Sequence, residues 1–339
     1  MFLIVAISLF GLFIIVLYVL SPLIAPKPFK LEGSHVMVTG GSSGIGQAIA
    51  VEAVKAGANV SLLARNQAKL TAAKADVEKY VKNKDTQKVQ CISVDLSRDF
   101  SEVERTVKEA EQNLGPVQML INCVGTSISG VFEEIPLTEF KRMLDINYMG
   151  SVHATRAVVP SMKSQQHGRI VFVSSQAGQL GLFGYTAYSA SKFALRGLAE
   201  ALHMELKPHN IYVSLAFPPD TDTPGFAEEQ ISKPEETRLI SETAGLFKPD
   251  VVARSILSDA LVSGQLCFKI QWLLNFECYS YQGLSVTIHL LRFLNPCVRS
   301  SSWCFSCGFK SKVCQVLVSG DGLFCALQFP PTIILMAII

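Results

Sequence analysis

Between residues 36 and 218 the chain alternates short, continuously apolar runs with longer stretches in which apolar residues recur at helical spacing. The runs Val36–Thr39, Val60–Ala64, Val89–Val94, Met119–Asn122, Ile170–Ser174 and Ile211–Phe217 predict buried strands, each bounded by polar, Gly or Pro residues. Between them Gly46–Ala56, Ala68–Lys82, Asp99–Asn113, Thr138–Met162 and Tyr188–Leu206 predict helices. Apolar strands that alternate with helices imply a parallel sheet covered on both faces, because each crossover lays a helix against the sheet. The expected fold is therefore α/β, a single doubly wound, Rossmann-type domain over residues 33–264, closed by a helix starting at Pro249-Asp250 and running through Val251–Val262.

The two ends depart from this pattern. From Phe2 to Leu20 only Ser8, Gly11 and Tyr18 interrupt an apolar run. Such a run matches the roughly 20 residues that cross a bilayer. No basic residue precedes it, Lys27 and Lys30 follow it, and Ser21–Pro26 is a poor cleavage site. Residues 1–25 are expected to be a retained transmembrane anchor, with the positive charges and the domain behind them on the cytosolic side. Only Cys91 and Cys123 occur between residues 27 and 260, which does not suit a disulfide-stapled lumenal domain. Residues 265–339 form a hydrophobic tail with Cys267, Cys278, Cys297, Cys304, Cys307, Cys314 and Cys325, few charges and no clear period. The spacing around Cys304 and Cys307 lacks a histidine to complete a usual zinc set, so no metal is expected. Thr332–Ile339 is apolar but too short to span a bilayer. The net charge of +2 gives no reason to expect a nucleic-acid partner.

Candidate chemistry begins with Thr39-Gly40-Gly41-Ser42-Ser43-Gly44-Ile45-Gly46, which leaves the first strand and opens the first helix. Glycines let the backbone turn tightly and approach a pyrophosphate, and a helix N-terminus offers free N–H groups to the anion. Gly40, Ser42, Ser43, Gly44, Ile45 and Gly46 are the candidate phosphate cradle. A carboxylate at the end of the second strand would hold the ribose 2′-hydroxyl of NADH. Here that strand ends in Arg65, with Lys69 one helical turn on. A guanidinium suits a 2′-phosphate, so NADPH is the expected cofactor.

Tyr188-Ser189-Ala190-Ser191-Lys192 places a phenol and an ammonium on one helix face. A phenol with its ordinary pKa near 10 needs such a neighbour to exchange protons near neutrality. The pair can give a proton to a carbonyl oxygen while hydride reaches the carbon, and Ser175 can hydrogen-bond that oxygen.

Together, Thr39–Gly46, Asn122-Cys123-Val124-Gly125, Asn147, Ser175 and Tyr188-x-x-x-Lys192 resemble the short-chain dehydrogenase/reductase family over residues 33 to about 262. By this resemblance Tyr188 is the proton donor and Lys192 its partner, which also binds the nicotinamide ribose. Ser175 orients the carbonyl, ahead of Ser174, and Asn147 holds a water of the proton relay. Asp95 lies beside the adenine, Asn122 steadies the central strand, and Thr221 and Thr223 meet the carboxamide. Cys123-Val124 and Pro218-Pro219 depart from the family's Asn-Ala and Pro-Gly. The segments 173–184 and 217–226, with the anchor, further resemble the family's reductases of a sphingoid ketone. They imply reduction of 3-ketosphinganine, a long-chain ketone lipid, in the endoplasmic reticulum membrane with the domain facing the cytosol. Leu180, Leu182, Phe183 and Phe226 are candidates for an apolar pocket. A steroid or retinoid ketone would meet the same chemistry, a form that binds NADPH without turnover would carry the same residues, and a homo-oligomer is compatible with either.

Overall fold

The computed structural model describes residues 10–16, 28–242 and 245–262, and the backbone of 316–319 and 322–325. The chain divides into two compact units, 1–280 and 281–339.

In the first unit, six strands form one parallel sheet: β1 (His35–Thr39), β2 (Asn59–Ala64), β3 (Val89–Ser93), β4 (Met119–Asn122), β5 (Gly168–Val173) and β6 (Ile211–Ala216). Their order is β3-β2-β1-β4-β5-β6, which reverses direction between β1 and β4. Cofactors bind above such a reversal, where the loops leaving two neighbouring strands diverge and open a crevice. In register, Thr39 stands beside Asn122 and Val38 beside Ile121, so the loops after β1 and β4 emerge side by side.

Side-chain alternation divides the core in two. Val36, Val38, Val60, Leu62, Ile121, Val171 and Val173 face one layer of helices: α1 (Gly44–Lys55), α2 (Gln67–Glu78) and the last described helix of the unit, Pro249–Val262. Met37, Leu63, Leu120, Ile170, Phe172, Val213 and Leu215 face α3 (Phe100–Leu114) and the helices that follow β4 and β5. Strand β5 is buried along its whole length, as a central strand covered on both faces must be. Local signals begin the helices: the Asn66 side chain accepts from Lys69 N, and that of Asp99 from Ser101 N. Gly115, at φ +81°, ends α3.

The expected helix Thr138–Met162 is three pieces: α4 (Leu137–Met143), a π-helical segment (Leu144–Met149) and α5 (Gly150–Gln165). The inserted residue keeps the apolar stripe inward, so hydrophobic periodicity does not reveal it; such bulges concentrate at functional sites. Helix α6 (Thr186–Leu206) leads to β6. Two short helices, α7 (Pro224–Glu229) and α8 (Glu235–Glu242), were not expected, although Thr223 followed by Pro224 is a helix-start signal. The terminal helix, α9 (Pro249–Val262), packs Val252, Ala253, Ile256 and Ala260 into the cluster that holds Ile49 and Ala53 of α1.

A helical segment spans residues 10–16, and the rest of the expected anchor lies outside the described residues. No helix among the described residues is long and apolar enough to cross a membrane. In the second unit β7 (Val316–Ser319) pairs antiparallel with β8 (Gly322–Cys325), Ser319 opposite Gly322. That hairpin corrects the expectation of a tail without pattern: two short β-prone runs flank Gly320-Asp321, a turn signal. Cys267, Cys278, Cys297, Cys304, Cys307, Cys314 and the Thr332–Ile339 run lie outside the described residues.

Candidate active site

One cavity of about 610 Å³ opens above the sheet reversal. It is lined at one end by Gly40, Ser42, Ser43, Gly44, Ile45 and Gly46, with Arg65 just after β2, Lys69 in the first turn of α2 and Asp95 after β3. At the other end lie Ser175, Tyr188, Lys192, Thr221 and Thr223. Asn122 and Asn147 lie behind the wall, not in it.

The loop after β1 is held by Thr39, whose Oγ1 accepts from Cys123 N and Val124 N, both at 3.1 Å. Gly40 has φ +66°, and a Cβ there would stand 2.8 Å from the Cys123 carbonyl oxygen, so both conformation and space require glycine. Ser43 is the N-cap of α1 but makes no side-chain cap bond, which leaves the first N–H groups of α1 to face the cavity. A helix N-terminus with a glycine turn before it, and Arg65 and Lys69 on the far rim, is a donor set that fits a phosphorylated dinucleotide. Asp95 is turned to its own loop: its Oδ1 accepts from Ser97 N (3.0 Å) and Oγ (2.6 Å). Burial pushes its carboxyl up, but those bonds, with Arg65 and Arg98, outweigh burial and hold it below the usual carboxylate range.

Asn147, in the π segment, is fully buried. It accepts from Thr126 N (2.8 Å) and donates to Thr126 O and Ser191 Oγ (both 2.9 Å). It thus ties the loop after β4 to α6, which carries Tyr188 and Lys192. Asn122 Nδ2 donates to Thr155 Oγ1 at 2.9 Å, tying β4 to α5. Ser174 directs its hydroxyl to the Lys192 carbonyl (3.1 Å), whereas the Ser175 hydroxyl bonds the Tyr188 phenol. That difference separates the two serines. Thr221 Oγ1 donates to Pro219 O (2.8 Å), and Thr223 Oγ1 caps α7 by accepting from Phe226 N (3.1 Å). Of the four apolar candidates, Leu182 and Phe226 line the cavity, while Leu180 and Phe183 are exposed outside it.

Residues 34–233 match the family model of the short chain dehydrogenases. The chain belongs to the short-chain dehydrogenase family. It is 61% identical over 249 residues to the 3-dehydrosphinganine reductase of Danio rerio, covering 74% of this chain and 75% of that one. Identity is also 61% over 249 residues, with the same coverage, to the 3-ketodihydrosphingosine reductase of Mus musculus. The namesake in Dictyostelium discoideum is 42% identical over 242 residues, or 68% of this chain and 72% of that one. Levodione reductase, a solved structure, superposes with a TM-score of 0.63 at 23% identity, covering 70% of this chain and 96% of that one; it speaks for the fold alone.

As in a dehydrogenase of this family, Tyr188 and Lys192 stand together on α6, with Lys192 Nζ 5.8 Å from the centre of the Tyr188 ring. Lys192 Nζ donates to Val173 O at 3.1 Å. Burial pulls its pKa from 10.5 to about 8. A Cβ on Gly125 would come 3.3 Å from both Asn147 Oδ1 and Lys192 Nζ, so the loop after β4 lies directly against the pair. The Tyr188 phenol is pushed above its ordinary value, which corrects the expectation of a lowered one. Burial is the largest cause and Glu229 the next; the Ser175 hydrogen bond opposes them without prevailing.

Glu229 belongs to a group that reading residue by residue had missed. Tyr185 OH donates to Glu229 Oε1, and the Tyr185 and Tyr188 rings lie 5.5 Å apart. Lys233 Nζ, fully buried, is 3.2 Å from Glu229 and 3.6 Å from Asp220. Tyr185, Asp220 and Glu229 all border the cavity. The signal was present as Glu229-x-x-x-Lys233 on helical spacing and as a tyrosine three residues before Tyr188.

Proposed function

We propose that the chain is a membrane-anchored, NADPH-dependent reductase that converts 3-dehydrosphinganine, a long-chain 2-amino-1-hydroxy-3-ketone, to sphinganine. The observation that carries this reading is the junction of Ser175, Tyr188 and Lys192 in one cavity with the phosphate cradle, on a chain 61% identical to reductases named for that substrate. The dinucleotide supplies hydride to the carbonyl carbon when bound. Gly40–Gly46 and the start of α1 would hold its pyrophosphate, and Arg65 with Lys69 its 2′-phosphate.

The chain's own part is to manage the proton. Ser175 donates to the substrate carbonyl oxygen and fixes it against Tyr188. Tyr188 transfers its phenolic proton to that oxygen as negative charge develops there. Lys192, held against Val173, stabilises the phenolate left behind. Asn147, by bracing Thr126 and Ser191, keeps the loop after β4 and α6 in register while this happens.

The apolar run 2–20 supports an anchor, and Lys27 and Lys30 behind it support a cytosolic domain on the endoplasmic reticulum membrane. An anchor also brings the cavity to a substrate that resides in lipid. The test is NADPH consumption by the full-length protein in detergent micelles with 3-dehydrosphinganine, with Tyr188→Phe as control. Turnover lost in the variant is expected; NADPH binding without turnover in the wild type would refute the assignment.

A further inference from the structure

The mechanism above leaves Asp220, Glu229 and Lys233 without a task, although two of them border the reacting centre. Two carboxylates face one ammonium, so with both ionised the group carries one negative charge in excess, and burial with Glu229 beside it pushes the Asp220 carboxyl up. Its surroundings are not those of a solvated surface: the Lys233 side chain has 0% exposure, that of Glu229 10% and that of Asp220 28%. Lys233 Nζ, enclosed, is shared between the two carboxylates. The rings of Phe226 and Tyr185, 5.1 and 5.7 Å away, wall it in. A knot that served only to fasten α7 to the loop after β6 would be expected to balance its charges, because an unpaired charge out of water is costly.

The excess charge also works against the reaction as long as nothing answers it. Glu229 acts on the Tyr188 phenol more strongly than any other charged group, and in the direction that disfavours the phenolate. A cation placed against Glu229 on the cavity side removes that opposition and balances the charge of the group. In a 2-amino-3-ketone the amino carbon is bonded to the carbonyl carbon. Seating the carbonyl oxygen on Tyr188 therefore brings the ammonium within a few ångströms of the phenol, on the wall that Glu229 and Asp220 form.

We propose that Glu229, fixed by Tyr185 and Lys233 and assisted by Asp220, is the subsite for the substrate's primary ammonium, and that it selects 2-amino ketones over plain ketones. The inference rests on the ketone-reductase reading and adds a determinant of specificity to it.

The test compares two ketones of equal chain length, the 2-amino-1-hydroxy-3-ketone and the 1-hydroxy-3-ketone lacking the amine, on the full-length protein in detergent micelles with NADPH. The quantity read is the ratio of their kcat/KM values on one preparation, from which any loss of folded enzyme cancels. Removing one partner of a fully buried ion pair costs about thirtyfold or more in recognition, and a partly exposed one less. The wild type is expected to favour the amine at least tenfold. Glu229→Gln should erase most of that preference, and Glu229→Asp should keep most of it. If Glu229→Gln does not fold, Asp220→Asn, at the most exposed of the three groups, should lower the same ratio several-fold. A wild-type ratio near one, or a ratio that neither variant moves, overturns the subsite and leaves the reductase reading intact. A wild type that reduces neither ketone overturns both.

Discussion

Lys192 is a case in which function is held at a cost to stability, and the cost can be worked out. Its pKa falls from 10.5 to about 8 on folding because the ammonium is buried. At 1.36 kcal/mol per pH unit, holding it charged below pH 8 destabilises the native state by about 3 kcal/mol. The sign follows from proton counting. Between about pH 8 and 10.5 the unfolded chain binds a proton at this site that the native chain has released, so stability rises with pH across that window. Lys192→Met removes the charge while keeping most of the stem. It also strips the Val173 carbonyl of its 3.1 Å partner, a loss of about 1–2 kcal/mol. At pH 7 the variant should therefore be the more stable protein by about 1–2 kcal/mol while reducing no ketone. By pH 9.5 wild type should have regained about 2 kcal/mol and the two should converge. Urea denaturation of both proteins in micelles, without cofactor, at pH 7 and pH 9.5, reads this directly. A variant less stable than wild type at pH 7, or a difference that does not change with pH, would refute the reasoning.

Other consequences are as specific. Arg65→Glu should raise KM for NADPH roughly tenfold to a hundredfold and move preference toward NADH, read from initial rates with each cofactor. Asn147→Ala strands Thr126 N and O, bonded at 2.8 and 2.9 Å, so it should cost about 3 kcal/mol and lower Tm by about 6–12 °C, with kcat falling further than cofactor affinity. Gly40→Ala, at φ +66° and against the Cys123 carbonyl, should weaken NADPH binding measured by fluorescence titration and lower the denaturation midpoint, whereas an unperturbed affinity would show that the loop yields.

The sheet was legible because burial on both faces leaves so little choice of residue. Ile170, Val171, Phe172 and Val173 could hardly be anything but a central strand, and all four are buried. Strand ends moved by only a residue or two. What stayed hidden was what tertiary contact decides. The π segment at Leu144–Met149 keeps the same apolar stripe as the helix expected there. It shows only in where Asn147 points. Asn122 could be singled out by its place after β4, but its bond to Thr155, 33 residues on, could not. Tyr185 and Glu229 each have a local signal, the nearby Tyr188 and Lys233, but they lie 44 residues apart and only the fold joins them. Ser174 and Ser175 are the same residue type at adjacent positions, and only the backbone after β5 decides which hydroxyl reaches the phenol.

The raised pKa of Tyr188 bears on when its proton is released. A general acid must hold its proton until the transition state, and a phenol buried beside Glu229 does so throughout the neutral range. Burial and that carboxylate both disfavour the phenolate before the proton is needed. Lys192, close to neutral pH in its own titration, can stabilise phenolate when it forms without creating it beforehand. Ser175 contributes in the same sense, since its hydroxyl favours charge on the phenol oxygen only by hydrogen bonding, a weaker effect than the burial it opposes. The phenol thus keeps its proton until an alkoxide forms to take it, and by microscopic reversibility the same groups serve the reverse step. The site's proton donor becomes easier to spend once a cationic substrate sits against Glu229, so the charge that selects the substrate and the charge that restrains the phenol are one and the same.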